Sequence, residues 1–258
     1  MSLDGESRKV KNKINVDIIL PSYNSYKYVE TTIKSIIKQS FKNWRLIIVD
    51  SSSNIKTLNV LKKFKKNKKI KIFSFKKKLT AAQSRNLALK KIKAKYVAFI
   101  DSDDVWMPEK LEKQINFMEI NNYEFSYTQY LPFSEHKNYK IVRPKDEYSF
   151  ESFIGDTSIS TSSMILKKDI IQKAKFTNTP ICEDYFFKCL ILKNCNAFCY
   201  PESLLKYRVR KDSLQSNKLR NFYWIWKINK DFNNFNFLNN LKSLLLISLS
   251  SLFKYGFK

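Results

Sequence analysis

The chain predicts an α/β fold, a mostly parallel sheet with helices on both faces, followed by a C-terminal helical extension. Three observations carry this. Short apolar runs alternate with helix-period segments four times in the first hundred residues. A hydrophobic share of 43%, with 14 Tyr, 20 Phe and 4 Trp, fills one good core in 258 residues and excludes global disorder. Beyond residue 104 the rhythm changes to aromatic-rich, strand-like pieces and then to helix.

Taken in order, Ile14 to Leu20 reads as a strand stopped by Pro21. A helix follows, with Val29, Ile33, Ile36 and Ile37 on one face. Trp44 to Val49 is a second strand, ending on Asp50 and a Ser51-Ser52-Ser53-Asn54 turn. A lysine-rich helix carries Leu58, Leu61 and Phe64, and a short strand runs from Ile70 to Phe73. Residues 81–93 suit a helix, and Tyr96 to Ile100 is a fourth, buried strand. Pro108 opens a helix carrying Leu111, Ile115 and Met118. Strand-like pieces lie near 123–131 and 158–166. Cys182 to Lys193 reads as a helix with Phe186, Cys189 and Leu190 facing one way, and the chain is helical again from about Leu214. No internal repeat is visible. The expected divisions are a loose polar tail over 1–13, a first half over 14–105, a second half over 106–215 and a helical segment over 216–258.

The net charge of +25 comes mostly from lysine, as in Lys62-Lys63, Lys65-Lys66, Lys68-Lys69 and Lys76-Lys77-Lys78. Such a charge suits nucleic acid, an anionic membrane face or a phosphorylated ligand. It equally suits a plain composition bias, in a chain rich in Lys, Asn, Ile and Phe with only 3 Gly and 6 Pro. Cys182, Cys189, Cys195 and Cys199 have no CxxC spacing, and the single histidine, His136, is remote from them, so no zinc site is expected. Residues 1–13 lack the apolar core of a secretory leader, which makes a reducing, cytoplasmic setting the default expectation.

Asp101-Ser102-Asp103-Asp104 is the most informative stretch, because the buried Tyr96–Ile100 run leads straight into it. Three carboxylates at the C-terminal end of a strand repel one another unless a cation sits between them. That end of an open α/β sheet is also where ligands bind. The competing reading is a strand-to-helix turn in which Asp103 or Asp104 caps the helix near Pro108. One acidic residue fits that turn well, and three fit it poorly.

Five further pieces stand in order: Pro21-Ser22-Tyr23-Asn24, Ile48-Val49-Asp50, Ser84-Arg85-Asn86, Phe99-Ile100-Asp101-Ser102-Asp103-Asp104 and Glu183-Asp184, with Tyr207-Arg208 after them. Over roughly residues 14–215 this set resembles the inverting family 2 glycosyltransferases of the GT-A (Rossmann-like) fold. Each piece alone is weak, and the ordered set is specific.

The resemblance implies a nucleoside-diphosphate sugar donor, with UDP expected, and a glycan or lipid-linked acceptor hydroxyl in bacterial surface polysaccharide or lipooligosaccharide synthesis. It implies transfer of a hexosyl or N-acetylhexosaminyl group. Pro21, Ser22, Tyr23, Asn24, Asp50, Arg85, Asp101 and Arg210 become the expected donor contacts. Tyr23 would stack on the base, or else fill the core; Asp50 would accept from the base's ring N–H, or else cap a helix. Arg85 offers a fork to phosphate oxygens, or else makes an ordinary surface ion pair. Asp103 and Asp104 become the expected ligands of Mn²⁺ or Mg²⁺, which take oxygen donors and keep several waters. Asp184 becomes the general base, a role worth ~10²–10⁴-fold, although an acidic pair also suits the first turn of a helix.

The chain departs from the family pattern in three places. Ser51 stands where an acidic residue is common; no glycine precedes Arg85-Asn86; and Val209-Arg210-Lys211 replaces a loop that often carries histidine. Arg210, with Ser213, would then be either a lid clamping the diphosphate or a solvated basic loop. In the C-terminal segment, Phe222, Tyr223, Trp224, Trp226, Phe232, Phe235 and Phe237 crowd a stretch rich in Lys and Asn, and Leu244 to Phe253 is too short for a confident span. The expectation is an interfacial helix on the inner, anionic face of the cell membrane, against the alternative of a packed helix. Three rival classes remain. A nucleic-acid-binding module leaves Asp101–Asp104 unexplained, so nucleic acid is not expected as a partner. A nucleotidyltransferase lacks its glycine-rich phosphate loop. A catalytically inactive scaffold is kept open by the departures.

Overall fold

Four apolar segments lie side by side because each must bury both faces. β1 (Val16–Ser22) pairs in parallel with β2 (Trp44–Asp50) on one side and β4 (Tyr96–Phe99) on the other, and β2 pairs in parallel with β3 (Ile70–Ser74). The computed structural model describes residues 15–134, 137, 139–172, 174–210 and 218–255. The expected 1–13 tail, Ile14, His136, Lys211, Ser213 and the start of the 216–258 segment lie outside these residues.

The period-two rule divides each strand between two layers. Ile18, Leu20, Leu46 and Ile48 meet α1 (Val29–Ile37), α2 (Ile55–Lys62) and α4 (Lys110–Ile120) through Ile33, Ile36, Leu61, Leu111, Ile115 and Met118. Ile19, Ile47, Val49 and Phe99 meet α3 (Ala81–Leu89) and α7 (Glu183–Leu192) on the opposite face. Helices on both faces of a largely parallel sheet are the architecture the alternation predicts.

The second half completes the sheet. β5 (Val105–Trp106), β6 (Phe125–Phe133), β7 (Glu147–Tyr148), β8 (Ile165–Lys167) and β9 (Ala197–Arg208) extend it in the order β3-β2-β1-β4-β8-β6-β9-β5, with β7 also on β9. β6 and β9 are parallel, whereas β8 runs antiparallel to both neighbours. Short helices α5 (Phe150–Phe153) and α6 (Lys168–Ile171) and a helical turn at Thr161–Ser163 fill the connections.

Four sequence expectations change. Pro21 lies inside β1, opposite Val49, because β4 pairs only as far as Ile19; beyond that point a strand residue without an N–H leaves no ladder bond unmade on that side. Ile37 is exposed while Val29, Ile33 and Ile36 are buried. Asp103 and Asp104 cap no helix: β5 intervenes, and α4 starts after Glu109. α7 is buried nearly all round, through Tyr185, Phe187, Lys188, Cys189, Ile191 and Leu192, with Phe186 and Leu190 only half-buried.

The C-terminal helices α8 (Lys218–Asp231) and α9 (Phe237–Tyr255) pack on the layer that holds α3 and α7, burying Ile225, Ile228 and Ile247. A polar hub fixes them. Asn229 is fully buried; its Oδ1 accepts from Tyr185 Oη at 2.7 Å, and its Nδ2 donates to Ser243 Oγ at 3.1 Å and Asn240 Oδ1 at 3.3 Å. Ser243 and Ser250 in turn donate to the carbonyls of Ile154 and Gly155. No helix among the described residues is long and apolar enough to cross a membrane. Asn229→Ala strands the Tyr185 hydroxyl and two side chains of α9, and urea unfolding should show a loss of ~1–3 kcal/mol.

Candidate active site

The site gathers at the C-terminal ends of β1, β2 and β4, where the strands give way to loops. On the β1–β2 side the loops are tied together by hydroxyls. Asp50 is fully buried, and its Oδ1 accepts from Ser22 Oγ at 2.7 Å and Ser52 Oγ at 2.6 Å. Asn24 adopts φ 49°, a left-handed conformation that asparagine tolerates. Its backbone N–H donates to Ser52 Oγ, and its Oδ1 accepts from the N–H of Ser53 and of Asn54. The Ser51–Asn54 turn is thus pinned to the end of β1. The cap alternative for Asp50 is corrected, since Asn54 caps α2 by accepting from Thr57 N–H. The core alternative for Tyr23 is corrected too: its ring is exposed, with Lys78 Nζ 4.7 Å from the ring centroid.

Arg85, on α3, is neither a surface ion pair nor an open fork. It is 4% exposed, and its two terminal nitrogens donate to Asp101 Oδ1 at 2.6 Å and Glu183 Oε1 at 2.7 Å. Burial alone would lower its pKa; the charges of Asp101, Glu183 and Asp184 outweigh this and raise it further above the usual range. Phe176 lies 5.2 Å from the guanidinium carbon and stacks on Phe187 of α7. Arg85 therefore joins the strand-end carboxylate to the helix that carries Asp184. Among the described residues both ends of its fork are engaged by these two carboxylates.

The three aspartates after β4 have separate environments. Asp101 keeps about a third of its side chain in solvent, and its backbone N–H donates to Ser162 Oγ. Asp103 pairs with Arg210 Nε at 3.2 Å. Its carboxyl is pushed up to about 6, first by burial and then by the charge of Asp101, with Arg210 and Arg208 opposing. Asp104 is enclosed. One oxygen accepts from the Arg208 backbone N–H at 2.8 Å, while the other, beside Ser162, makes no hydrogen bond of normal geometry among the described residues. Burial and its two acidic neighbours push it well above the usual carboxylate range. Asp104 thus holds the end of β9 through one oxygen and keeps the other without a hydrogen-bond partner among the described residues. Among the described residues no group of three or more His, Cys, Asp and Glu side chains converges to hold a metal. Mg²⁺-like ions need only one or two protein carboxylates beside phosphates and water, and Asp103 with Asp101 meets that requirement.

Asp184 is the second residue of α7, so it occupies the first helical turn and faces the site from across Arg85. Its Oδ2 accepts from Lys188 Nζ at 2.8 Å and Thr161 Oγ1 at 2.9 Å. Burial pushes its pKa up, but Lys188, Arg85 and Thr161 win and hold it well below the usual range. Two positions before it, at the helix cap, Cys182 has φ 60°, a strained turn that fixes how α7 enters the site. Arg210 is part of the site rather than a solvated loop. Arg208 is sandwiched at 4.5 Å over Tyr28 and 4.4 Å over Phe133, and donates from Nε to the Asp103 carbonyl.

Sequence reasoning missed Lys188, Thr161, Ser162 and the Arg85–Glu183 link. Lys188 alone carries a local signal, an i,i+4 partner for Asp184 on an otherwise apolar helix. The others arrive from distant segments.

A glycosyl transferase family 2 model matches residues 17–187. The chain belongs to that family. Among relatives, it is 31% identical over 225 residues to the Escherichia coli protein WfgD, named as a UDP-Glc:α-D-GlcNAc-diphosphoundecaprenol β-1,3-glucosyltransferase, covering 84% of this chain and 86% of that one. The fold matches S. aureus TarS in complex with UDP-GlcNAc at a TM-score of 0.71 and 18% identity, over 92% of this chain and 71% of that one. It also matches the mannosyltransferase PcManGT from Pyrobaculum calidifontis, in complex with GDP-Man and Mn²⁺, at 0.70 and 13% identity, over 93% and 73%. The chain is a glycosyltransferase of GT-A architecture, related to bacterial glycosyltransferases.

Arg85→Met leaves Asp101 and Glu183 without their cation. It should cost up to ~3 kcal/mol in thermal or urea unfolding, the low end for a broken buried pair because Asp101 still reaches water.

Proposed function

We propose that the chain transfers a sugar, with inversion, from a UDP-sugar to a hydroxyl of a lipid-linked glycan. The observation that carries this is the Arg85 joint. It sets Asp101, beside Asp103 at the end of β4, against Glu183, the neighbour of an ionised Asp184 at the start of α7. An in-line displacement needs those two things on opposite sides of one sugar: a place for an anionic leaving group and a fixed base.

In this reading the acceptor oxygen attacks the anomeric carbon, and the bond from that carbon to the diphosphate oxygen breaks. The acceptor's proton passes to Asp184, and UDP departs with the bonding pair. Asp103, with Asp101 beside it, would hold Mn²⁺ or Mg²⁺. That ion, when bound, supplies Lewis-acid stabilisation of the charge gathering on the diphosphate. Arg210 adds positive charge at the same place. The exposed Tyr23 ring offers a face for the base, and Asp50 with Ser22, Ser52 and Asn24 fixes the turn beside it, next to Pro21. Uridine is favoured by the name of WfgD and by the UDP-GlcNAc complex of TarS. The same name motivates glucose and a diphosphopolyprenol-linked acceptor as the first substrates to test.

The proposed site of action is the inner, anionic face of a membrane. α9 turns Asn240, Ser243 and Ile247 inward, and exposes Leu238, Leu241, Leu245, Leu249 and Leu252 at helical spacing on the outer face. Arg220, Lys227, Lys230 and Lys242 are exposed on the same two helices, and Asp231 is the only acidic residue between 218 and 255. A leucine stripe with basic flanks on a docked helix is the pattern of an interfacial anchor. In this reading the segment packs on the domain through one face and meets the membrane through the other.

Asp184→Asn should bind UDP with Mn²⁺ as the natural chain does, and lose ~10²–10⁴-fold in transfer from UDP-glucose to GlcNAc-diphosphopolyprenol. Normal turnover in that variant would remove Asp184 as the base. In a second experiment the full chain should sediment with phosphatidylglycerol vesicles. Replacing Leu241, Leu245 and Leu249 together with Gln should release it without lowering its melting temperature. Retention on the vesicles by that variant would refute the leucine face as the anchor.

A further inference from the structure

We infer that Lys188 is a positioning residue for proton transfer: with Thr161 it fastens Asp184 Oδ2 and leaves Oδ1 as the oxygen that takes the acceptor's proton. The inference rests on the reading of Asp184 as the base.

The geometry is specific. Lys188 is buried on a helix whose other enclosed residues are Tyr185, Phe187, Cys189, Ile191 and Leu192, so its ammonium has no water to turn to. A spacing of four residues brings it one helical turn above Asp184. Nζ donates to Oδ2 at 2.8 Å, and Thr161 Oγ1 donates to that same oxygen at 2.9 Å from a different segment. Among the described residues Oδ1 makes no hydrogen bond, and a fifth of the Asp184 side chain stays open to solvent. Two donors on one oxygen fix the rotation of the carboxylate, and the remaining oxygen then has one direction in which to accept.

The surrounding charges make Lys188 the decisive one. Glu183 shares the helix, but its own charge is engaged by Arg85 from α3. The Cys182 thiol stands at the helix cap, pushed up to about 12 by burial and by the two acidic residues, with Arg220 of α8 acting on it from beyond. Among the described residues Lys188 and Arg85 are the cations that lower the Asp184 carboxyl, and Lys188 is the one hydrogen-bonded to it. Held ionised in this way, Asp184 is a weak base. It gains the proton only as the new C–O bond forms and the acceptor hydroxyl becomes acidic.

The test compares the natural chain with Lys188→Met and Thr161→Val. Two readouts are followed: carbon-13 titration of the Asp184 carboxyl, assigned with Asp184→Asn, and the pH profile of UDP release from UDP-glucose with GlcNAc-diphosphopolyprenol. Removing the cation should raise the Asp184 titration by ~1–3 pH units. The acid limb of kcat/KM should rise with it, so activity is lost at a higher pH than in the natural chain. Thr161→Val should give a smaller shift in the same direction. KM for UDP-glucose should stay constant in both. A folded Lys188→Met whose Asp184 titrates as before, or whose acid limb does not move, overturns the inference. If Lys188→Met fails to fold, Thr161→Val decides by the same readouts, and an unmoved titration there overturns it. Full turnover by Asp184→Asn would instead sink the base reading, while the carboxyl titration still reports on Lys188.

Discussion

The site depends on one enclosed guanidinium. A charge such as that of Arg85, cut off from water, is tolerable only with carboxylates in contact, and removing either side leaves the other uncompensated. The two partners come from separate parts of the chain, Asp101 from the end of β4 and Glu183 from the start of α7. Their separation is therefore fixed by the span of one planar group. Asn86, the next residue on α3, reinforces this by holding the backbone of Phe176 through both its amide groups, and Phe176 covers the guanidinium. The penalty for breaking the arrangement, more than any gain from making it, keeps the two halves of the site in register.

Around that joint four acidic residues are driven apart in character. Asp184 is pulled down by cations, Asp103 is pushed up to about 6, and Asp104 and Glu183 are also pushed up, by burial foremost. Environments that separate like groups in this way assign them different tasks. Asp184 is held ionised by Lys188 and Arg85, Asp103 pairs with Arg210, Asp104 accepts from the Arg208 backbone, and Glu183 engages Arg85. The basic end of β9 closes the group, since Arg208 and Arg210 approach Asp103 and Asp104 from outside the parallel strands.

Where the chain pattern is regular, the sequence was informative. β1, β2 and β4 are apolar on both faces, α1 keeps its three- and four-residue spacing, and Asp101-Ser102-Asp103 announces itself by following a buried strand. Family membership was legible because its pieces sit at strand ends. Other features had no local sign. β9 contains Pro201 and mixed polarity, and its pairing with β6 shifts register at Thr128–Tyr130, so neither alternation nor length marks it as a strand. β5 and β7 are two residues each and exist only through β9. Asp104 reads like its neighbours, yet its burial is decided by Arg208, more than a hundred residues away. The link from Arg85 to Glu183, ninety-eight residues away, leaves no sign in the sequence around either. The inward face of α9 depends on Asn229 and Ile154, which no periodicity in the helix itself reveals.

The position of the last helices in the core has a bearing on synthesis. The parallel strands β1 to β4 pair with near neighbours in sequence and can assemble while later segments are still being made. Tyr185 of α7 donates its hydroxyl to Asn229 of α8, and Ile247 of α9 closes the same layer. A nascent chain that has not yet reached α8 and α9 would thus have the loops after β1 and β2 in place but leave α7 without these contacts.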